Sequence, residues 1–594
     1  MMLTLWIVSV LAPLLVAAVL AGTHRARTPR IRVIAQRHLS LAPLSLLPAA
    51  LLTLLAPAEP LHANWLMMGI TVGFDVVSRA LTMVAVLLYA AAIWAVTWRY
   101  DHRAPELVAY LLVCFVGNAG VYLAQDVVML YASFSLMSLA AVGLVVHERT
   151  AEAFRATRIY LVLAVISEMA VLAGVVFTAQ AGGYLVVDAP AAVAESPHRA
   201  VIVVLLILGF GIKAGLVGLH MWLPLAHPAA PPPASAVLSG AMVKAGLVGM
   251  LRLLPLGEAA MPAVGAAVIV LALFGAFAAV VLGVVQRDPK VVLAYSTISQ
   301  MGFLSVLVGT ALVAPELAGA CITAAVIYAV HHGLAKGALF IGVPVWKHHA
   351  TGLRRHLVIA GMAVAGLVVV GAPLSSGAVG KYAAKEAIES TEIWGVQVAD
   401  LLPFVATGST VLLVRLAWIL LATEREPRHP KDDPALPAWL LLVALSASVP
   451  WILTDRWVPL DSVPGLEPVT LWDATWPMLI GLGIGALAWY VVPRWLPRLS
   501  AHLETIMKPG DLVIPIEAGT HRLAMGARFI TERIGTLRDS VSDVAINLGI
   551  GGTRTVAQVA RAETAAAKWS NSGAALIAVL IVLTVLMLFT EGTS

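Results

Sequence analysis

The stretch that decides the fold is apolar but interrupted by prolines and charges: residues 213–252 read KAGLVGLHMWLPLAHPAAPPPASAVLSGAMVKAGLVGMLR. Two lysines, Lys213 and Lys244, lie among side chains that otherwise suit a lipid bilayer. Proline removes a backbone donor and clashes with the preceding helical turn, so we expect the proline-rich run from His220 to Pro233 to break a helix. A break at membrane depth must line a polar cavity, because lipid cannot hydrogen-bond the freed backbone groups.

A second interruption follows further along the chain. Residues 371–377 read GAPLSSG, and Lys381 comes shortly after them. A pair of interrupted helices in corresponding positions of two halves indicates an inverted-repeat transporter. Each predicted break is accompanied by a lysine.

The composition excludes most soluble classes. Of the 594 residues 60% are hydrophobic and 12% are charged, and the mean hydropathy is +0.91, whereas soluble domains carry about 25% charged residues. The two cysteines, Cys114 and Cys321, are too few for iron–sulfur or structural zinc sites, which need about four ligands. We therefore expect no cofactor, no metal and no redox chemistry on this chain.

Apolar runs of about 18 to 25 residues predict an all-α polytopic membrane protein with about sixteen transmembrane helices. The predicted spans are 3–22, 39–56, 72–98, 105–124, 127–146, 156–179, 200–223, 234–254, 262–285, 291–313, 317–345, 356–389, 401–421, 435–453, 472–493 and 572–590. We group them into N-terminal helices (1–104), two inverted five-helix repeats (105–254 and 262–421), C-terminal helices (435–493) and an anchoring helix (572–590).

Residues 508–569 are too charged to span a membrane, yet they keep apolar side chains at helical spacing. This pattern is typical of an amphipathic helix that lies along a surface. We expect a lateral helix with the last span as its anchor, and an ordinary cytoplasmic tail is the alternative.

Charge placement predicts the orientation. The net charge is +5 and the pI about 9.2, and the basic residues concentrate in alternate loops, beginning with residues 23–38. By the positive-inside rule these loops are cytoplasmic, so both termini lie on the non-cytoplasmic side of what we expect to be a bacterial inner membrane. Topology explains the basic pI, and no nucleic-acid partner is needed.

Ionisable residues inside spans are costly and therefore functional candidates. The predicted proton relay comprises Glu168, Lys213, Lys244, Lys336 and Lys381, with supporting residues His220, His227, His331, His332 and Lys385. A carboxylate that moves toward or away from a buried amine makes that amine load and release a proton. The alternative is a set of static ion pairs, and we assign Arg79, Arg252 and Arg415 a structural role.

These segments resemble the antiporter-like proton-pumping subunits of respiratory complex I, Mrp-type cation/proton antiporters and membrane-bound hydrogenases. The resemblance rests on HMWLPLAHPAAP and SGAMVKAG within residues 213–252, on DPKVVLAYSTISQ at 288–300 and on HGLAK at 332–336. It covers roughly residues 70–420, and the lateral helix resembles that of the distal large subunit of complex I.

The resemblance implies a role for each lysine. Lys213 would be the pumping lysine, Lys244 a further relay member, Lys336 the central connecting lysine and Lys381 the exit-side group. His332 would link Lys336 to its neighbours.

The sequence departs from the family pattern at one position. The family usually has a glutamate in the fifth span, but residues 132–136 read ASFSL, which puts Ser135 there. We expect Glu168 in the sixth span to replace that carboxylate as the partner of Lys213.

The favoured function is a proton-translocating subunit of a multi-subunit energy-converting complex, that is, part of a translocase. The alternatives are a subunit of an Mrp-type Na⁺/H⁺ antiporter, a proton-conducting partner of a cytoplasmic enzyme such as an inorganic-carbon uptake complex, and a structural scaffold. Expected partners are other membrane subunits of a hetero-oligomeric complex, the lipid bilayer and protons, with Na⁺ added under the antiporter alternative.

Overall fold

The computed structural model of the chain describes residues 2–24, 39–57, 59–63, 69–96, 103–425, 434–460 and 463–495, and the single positions 30, 513, 517 and 519. The chain divides into two units, Met1–Leu512 and Val513–Ser594. The predicted lateral helix (508–569), apart from three single positions, and the predicted anchoring span (572–590) lie outside the described residues.

The described part is almost entirely helical. In chain order the helices are α1 (Met2–His24), α2 (Leu47–Leu55), α3 (Val76–Val96), α4 (Ala104–Leu123), α5 (Val127–Val145), α6 (Ala151–Gln180), α7 (Ala189–Glu195), α8 (Arg199–Ala214), α9 (Leu223–Ala229), α10 (Pro232–Leu253), α11 (Pro262–Val284), α12 (Pro289–Val313), α13 (Ala318–His349), α14 (Arg354–Val370), α15 (Ser376–Ala387), α16 (Leu402–Ala422), α17 (Ala435–Arg456) and α18 (Pro468–Ala486). Two short antiparallel hairpins pair β1 (Leu61–Ala63) with β2 (Ile70–Val72) and β3 (Glu392–Ile393) with β4 (Val396–Gln397).

The prediction of a polytopic all-α membrane protein is confirmed. Within the described residues twelve helices are long and apolar enough to cross a membrane. Three other predicted spans appear as pairs of shorter elements. The span 39–56 is a 3₁₀ helix (Leu39–Leu46) followed by α2, 200–223 gives α8 and a loop before α9, and 356–389 gives α14 and α15. The total of sixteen stays a prediction.

The first helix break begins earlier than the prolines. Helix α8 ends at Ala214, and Gly215 takes a left-handed conformation with φ of 76°, the usual way for a glycine to end a helix. Pro224 lies in the first turn of α9, where proline is tolerated. The break therefore starts two residues after Lys213, ahead of the prolines, and the proline-rich run contains a further interruption at Ala230 and Pro231, between α9 and α10.

The second break also begins at a left-handed glycine. Helix α14 ends at Val370, Gly371 is left-handed with φ of 79°, and α15 begins at Ser376. The turn is tight, since a Cβ on Gly377 would lie 1.8 Å from the carbonyl oxygen of Val368. In each predicted repeat the broken helix is the fourth of five helices. This count takes α8 with α9, and α14 with α15, as one broken helix each, and it leaves out the short helix α7.

Helices α10 and α12 are fully enclosed by the other helices, whereas α1 and α18 are largely exposed. Helix α10 contains a π-helical turn at Leu238–Met242, a distortion that is frequent at functional sites. In this turn Gly240 approaches Gly333 of α13 so closely that a Cβ on Gly240 would lie 2.6 Å from the Gly333 oxygen. The contact brings the backbones of α10 and α13 together at the level of Lys244.

Candidate functional site

The centre of the site is a contact between a lysine and a histidine on these two helices. Lys244 Nζ lies 2.7 Å from His332 Nδ1 and donates a hydrogen bond of 2.6 Å to the backbone oxygen of Ser239 in the π-helical turn. Both side chains are buried. At this distance the amine and the imidazole nitrogen form a hydrogen bond, in which the donor depends on the protonation of the two groups.

A chain of hydroxyl and carbonyl groups continues from this contact toward Lys336. Ser239 Oγ is 2.8 Å from Thr297 Oγ1, and Thr297 donates to the Leu293 oxygen over 3.0 Å. Lys336 Nζ donates to the same oxygen over 2.8 Å. Helices α10, α12 and α13 therefore place Lys244 and Lys336 at the two ends of one row of buried polar groups.

His332 forms its hydrogen bond with a lysine on another helix, and its role as a link between Lys336 and its neighbours stays a prediction. Among the described residues its hydrogen-bond partner is Lys244, and no hydrogen bond joins it to Lys336 four residues further along α13. The imidazole bridges α13 to α10 rather than linking two groups on its own helix.

Glu168 contacts the residue that stands in the family's glutamate position. Its Oε2 accepts a hydrogen bond from the Ser135 hydroxyl across α5 and α6. Its other oxygen, Oε1, is buried and has no hydrogen-bond partner within the described part of the chain. The carboxylate thus lies beside the spot where the family pattern puts it, although it comes from the neighbouring helix.

Lys213 is held by aromatic groups rather than by Glu168. Its Nζ donates to the Tyr160 hydroxyl over 2.9 Å and lies 5.3 to 5.9 Å from the ring centres of Tyr160, Trp222 and Phe134. Three rings around one ammonium stabilise it through cation–π interactions. In the described residues no ion pair within 4.0 Å joins Lys213 to Glu168, so the predicted partners are separate here.

Lys381 lies at the second helix break. Its amine donates to the backbone oxygen of Val370, the last residue of α14. One turn further along α15, Lys385 Nζ forms an ion pair of 2.9 Å with Asp473 of α18, and both of these side chains are roughly half exposed.

The other three predicted histidines contact aromatic rings. His227 stacks on Phe340 with ring centres 4.5 Å apart, and His220 lies 6.5 Å from Tyr295. His331 meets the edge of Tyr328 at 4.5 Å. Helix α15 packs directly on His331, because a Cβ on Gly380 would lie 2.7 Å from its Nδ1. His331 therefore lies against the residue that precedes Lys381.

Sequence reasoning missed a buried hydroxyl–amide network. The Tyr328 hydroxyl donates to the Gln300 side-chain oxygen, and the Gln300 amide donates to Ser409 Oγ over 2.6 Å. These residues join α13, α12 and α16 near His331. Only the polar character of Gln300 within an apolar span could have indicated it.

Lys290 was quoted as part of a motif but received no role. Its amine donates to the backbone oxygens of Pro228 and Ala230, over 2.8 and 2.9 Å. These carbonyls end the short helix α9, so Lys290 caps the negative end of that helix.

The arginines near span ends form structural contacts. Arg252 pairs with Asp75 over 2.8 Å, Arg415 donates to the Gln286 oxygen, and Arg79 donates to backbone oxygens in and just after α2. Burial raises the pKa of Asp75, but the Arg252 guanidinium and hydrogen bonds from Ser78 outweigh it and lower that pKa below its usual value of 3.8.

A multi-pass helical membrane protein with two glycine-broken helices and a row of buried lysines defines a class, the antiporter-like membrane subunits. Residues 124–384 match the family model described as "NADH:quinone oxidoreductase/Mrp antiporter, TM". The match over this segment confirms the resemblance that the motifs indicated.

Hydrogenase-4 component B of Escherichia coli (strain K12) is 27% identical to the chain over 286 residues, which cover 46% of the chain and 43% of the relative. The chain spans about half the length of the curated relatives it matches.

Two solved structures share the fold. In the structure of the Mrp complex from Dietzia sp. DQ12-45-1b, one chain superposes with a TM-score of 0.71 at 22% identity, over 88% of this chain and 60% of that one. In the membrane-bound sulfane sulfur reductase, an archaeal respiratory membrane complex, one chain superposes with a TM-score of 0.64 at 20% identity. The superposition covers 97% of this chain and 99% of that one.

Proposed function

We propose that this chain is the proton-translocating, antiporter-like membrane subunit of a multi-subunit energy-converting complex. Protons move along Glu168, Lys213, Lys244, Lys336 and Lys381, with His332 bridging α13 and α10. The observation that carries the proposal is the buried contact between Lys244 and His332, continued by hydroxyl and carbonyl groups to Lys336.

The aromatic cage supplies the switching step. In one arrangement the amine and the carboxylate are apart: Tyr160 holds Lys213, and Ser135 holds Glu168. Contact between the two is the other arrangement, and it favours the charged form of both groups. Alternation between them loads and unloads the amine, which is how a Glu/Lys pair moves a proton without a redox centre.

The test is proton flux in sealed membrane vesicles that contain the complex with its partner subunits. Lys244→Met leaves His332 without its partner and is expected to abolish coupled flux, and Glu168→Gln is expected to do the same. Lys347→Met, in the last turn of α13 and away from the central contact, is the matched control. Wild-type flux in Lys244→Met would refute the relay.

The Mrp-type alternative is tested in the same vesicles. The match to an Mrp complex chain supports it at the level of fold. Sodium favours oxygen ligands over amines. The ionisable groups of the row between Lys244 and Lys336 are two amines and the imidazole of His332, with hydroxyls beside them. We expect flux that does not depend on a sodium gradient, and flux that follows sodium would favour the antiporter.

We further propose that both termini lie on the non-cytoplasmic side of a bacterial inner membrane and that the chain divides into the two five-helix repeats 105–254 and 262–421. Support comes from the basic loops on one side and from the broken helix at the fourth place of each repeat. Reporter fusions at loop positions in intact cells test the orientation.

A further inference from the structure

A cavity of about 160 Å³ lies beside the second helix break. Lys381 and Lys385 of α15 contribute to one wall, and Thr470 and Asp473 of α18 contribute to another. Most of the lining is apolar, so these four residues supply most of its polar side chains, and a space of this size is large enough for water beside them. It lies at the end of α15 that the proposed orientation puts toward the non-cytoplasmic side.

The ion pair between Lys385 and Asp473 crosses this cavity. Its length is 2.9 Å, and the two side chains are 44% and 46% exposed. Ion pairs this exposed contribute little to folding stability. The pair is therefore free to open and close without a large change in the stability of the protein.

Lys385 follows Lys381 by four residues on α15, so both amines lie on one face of the helix. While Asp473 neutralises Lys385, Lys381 can hold a proton. When the pair opens, the ammonium of Lys385 repels the proton on Lys381, and the freed carboxylate attracts it.

Building on the proposed function, we propose that this cavity is the proton-release vestibule and that Asp473 is the carboxylate that receives the proton leaving Lys381. In this step an N–H bond of the Lys381 ammonium breaks and its electron pair stays on the amine. The proton forms an O–H bond with Asp473, directly or through cavity water, and water then carries it away. Lys385 is a positioning residue that controls when Asp473 is available.

The first experiment measures proton flux in vesicles that contain the complex with its full-length chain. Asp473→Asn is expected to lower flux by about tenfold or more, the order of effect expected when a proton-transfer group is removed. Lys385→Met is expected to lower it as well. The double variant should be no worse than Asp473→Asn alone, because two residues that act as a unit are not additive.

Asp455→Asn is the matched control, since Asp455 is an exposed carboxylate near the end of α17 that does not line the cavity. Melting temperatures of all variants should stay close to that of the wild type. If wild-type vesicles transport protons and Asp473→Asn transports them equally well, the release role is overturned while the proposed function stands. If wild-type vesicles transport none, both are overturned.

The second experiment tests for water in the cavity by thiol labelling, a readout that does not depend on flux. Thr470→Cys introduces a thiol at the cavity wall, while the native Cys114 and Cys321 are buried. A membrane-impermeant thiol reagent added from the non-cytoplasmic side should label this variant and block flux. Leu479→Cys, in the middle of the apolar span of α18 and outside the cavity, is the control that should resist labelling, because its exposed side faces lipid and not water. An unlabelled Thr470→Cys variant overturns the vestibule.

Discussion

Replacing Gly240 by alanine should separate the two helices that hold the central contact. The new Cβ would lie 2.6 Å from the Gly333 oxygen and 2.4 Å from Leu88 Cδ2. The leucine methyl can rotate away, but the carbonyl belongs to a helix backbone. Side-chain carbons tolerate such contacts at about 3.0 to 3.4 Å, so α10 and α13 must separate by about 0.4 to 0.8 Å.

This separation acts on the bond between Lys244 and His332. Its length would grow from 2.7 Å to about 3.1 to 3.5 Å, the upper limit of a hydrogen bond. A hydrogen bond to a charged group contributes about 1.5 to 3 kcal/mol. Loss of about half of that corresponds to a roughly three- to tenfold effect on proton transfer.

The assay is proton flux in vesicles, with the amount of membrane-inserted complex measured in parallel. Gly319→Ala is the control, because a Cβ there meets no atom within 4 Å at the start of the same helix, α13. Gly337→Ala tests crowding without a backbone clash, since the atoms nearest to its Cβ belong to the side chains of Leu88 and Leu442. Full flux in Gly240→Ala would refute the claim that the close glycine contact maintains the relay.

Three further predictions follow from the contacts of single residues. Tyr160→Phe keeps the ring beside Lys213 but removes the hydroxyl that accepts its hydrogen bond and donates to the Ser138 oxygen, so flux should fall by about tenfold or more and the melting temperature should also fall, because buried groups left without partners cost about 1 to 3 kcal/mol. Gly215→Ala forces a left-handed φ of 76° on alanine at a cost of about 1 to 2 kcal/mol, and it should lower the melting temperature in detergent. Asp75→Asn should lower the melting temperature near neutral pH, because the ion pair with Arg252 stabilises the fold above the usual carboxyl pKa. That stabilisation is lost as the pH falls through the lowered pKa of Asp75, so wild type and Asp75→Asn should converge in acid, which a pH series of melting curves checks.

The fold class could be predicted from the sequence because the bilayer demands long apolar helices, and composition reports them directly. The positions of the two broken helices were also predictable, although the residue that ends the first one was not. Proline dominates that stretch, yet Gly215 supplies the conformation that ends α8, and only backbone geometry distinguishes the two.

The candidate site was predictable as a set of residue types and not as a set of contacts. Intramembrane lysines stand out in an apolar chain, so Lys244 and Lys336 were found. Their partners are backbone carbonyls and small hydroxyls, such as Ser239 and Thr297, which are common in membrane helices and give no distinct signal. The aromatic cage of Lys213 combines Phe134 of α5, Tyr160 of α6 and Trp222 of the turn before α9, so no single local pattern could reveal it.

The hydrogen bond between Ser135 and Glu168 has a consequence for how related chains are compared. An alignment column records which residue occupies a place along the chain, and at this column the serine reads as the loss of an essential acid. In space a carboxyl group still lies beside that serine, supplied by the adjacent helix. A search that filters candidates by a glutamate in that column would discard this chain, whereas one that asks for a carboxylate within hydrogen-bonding distance of that position would keep it.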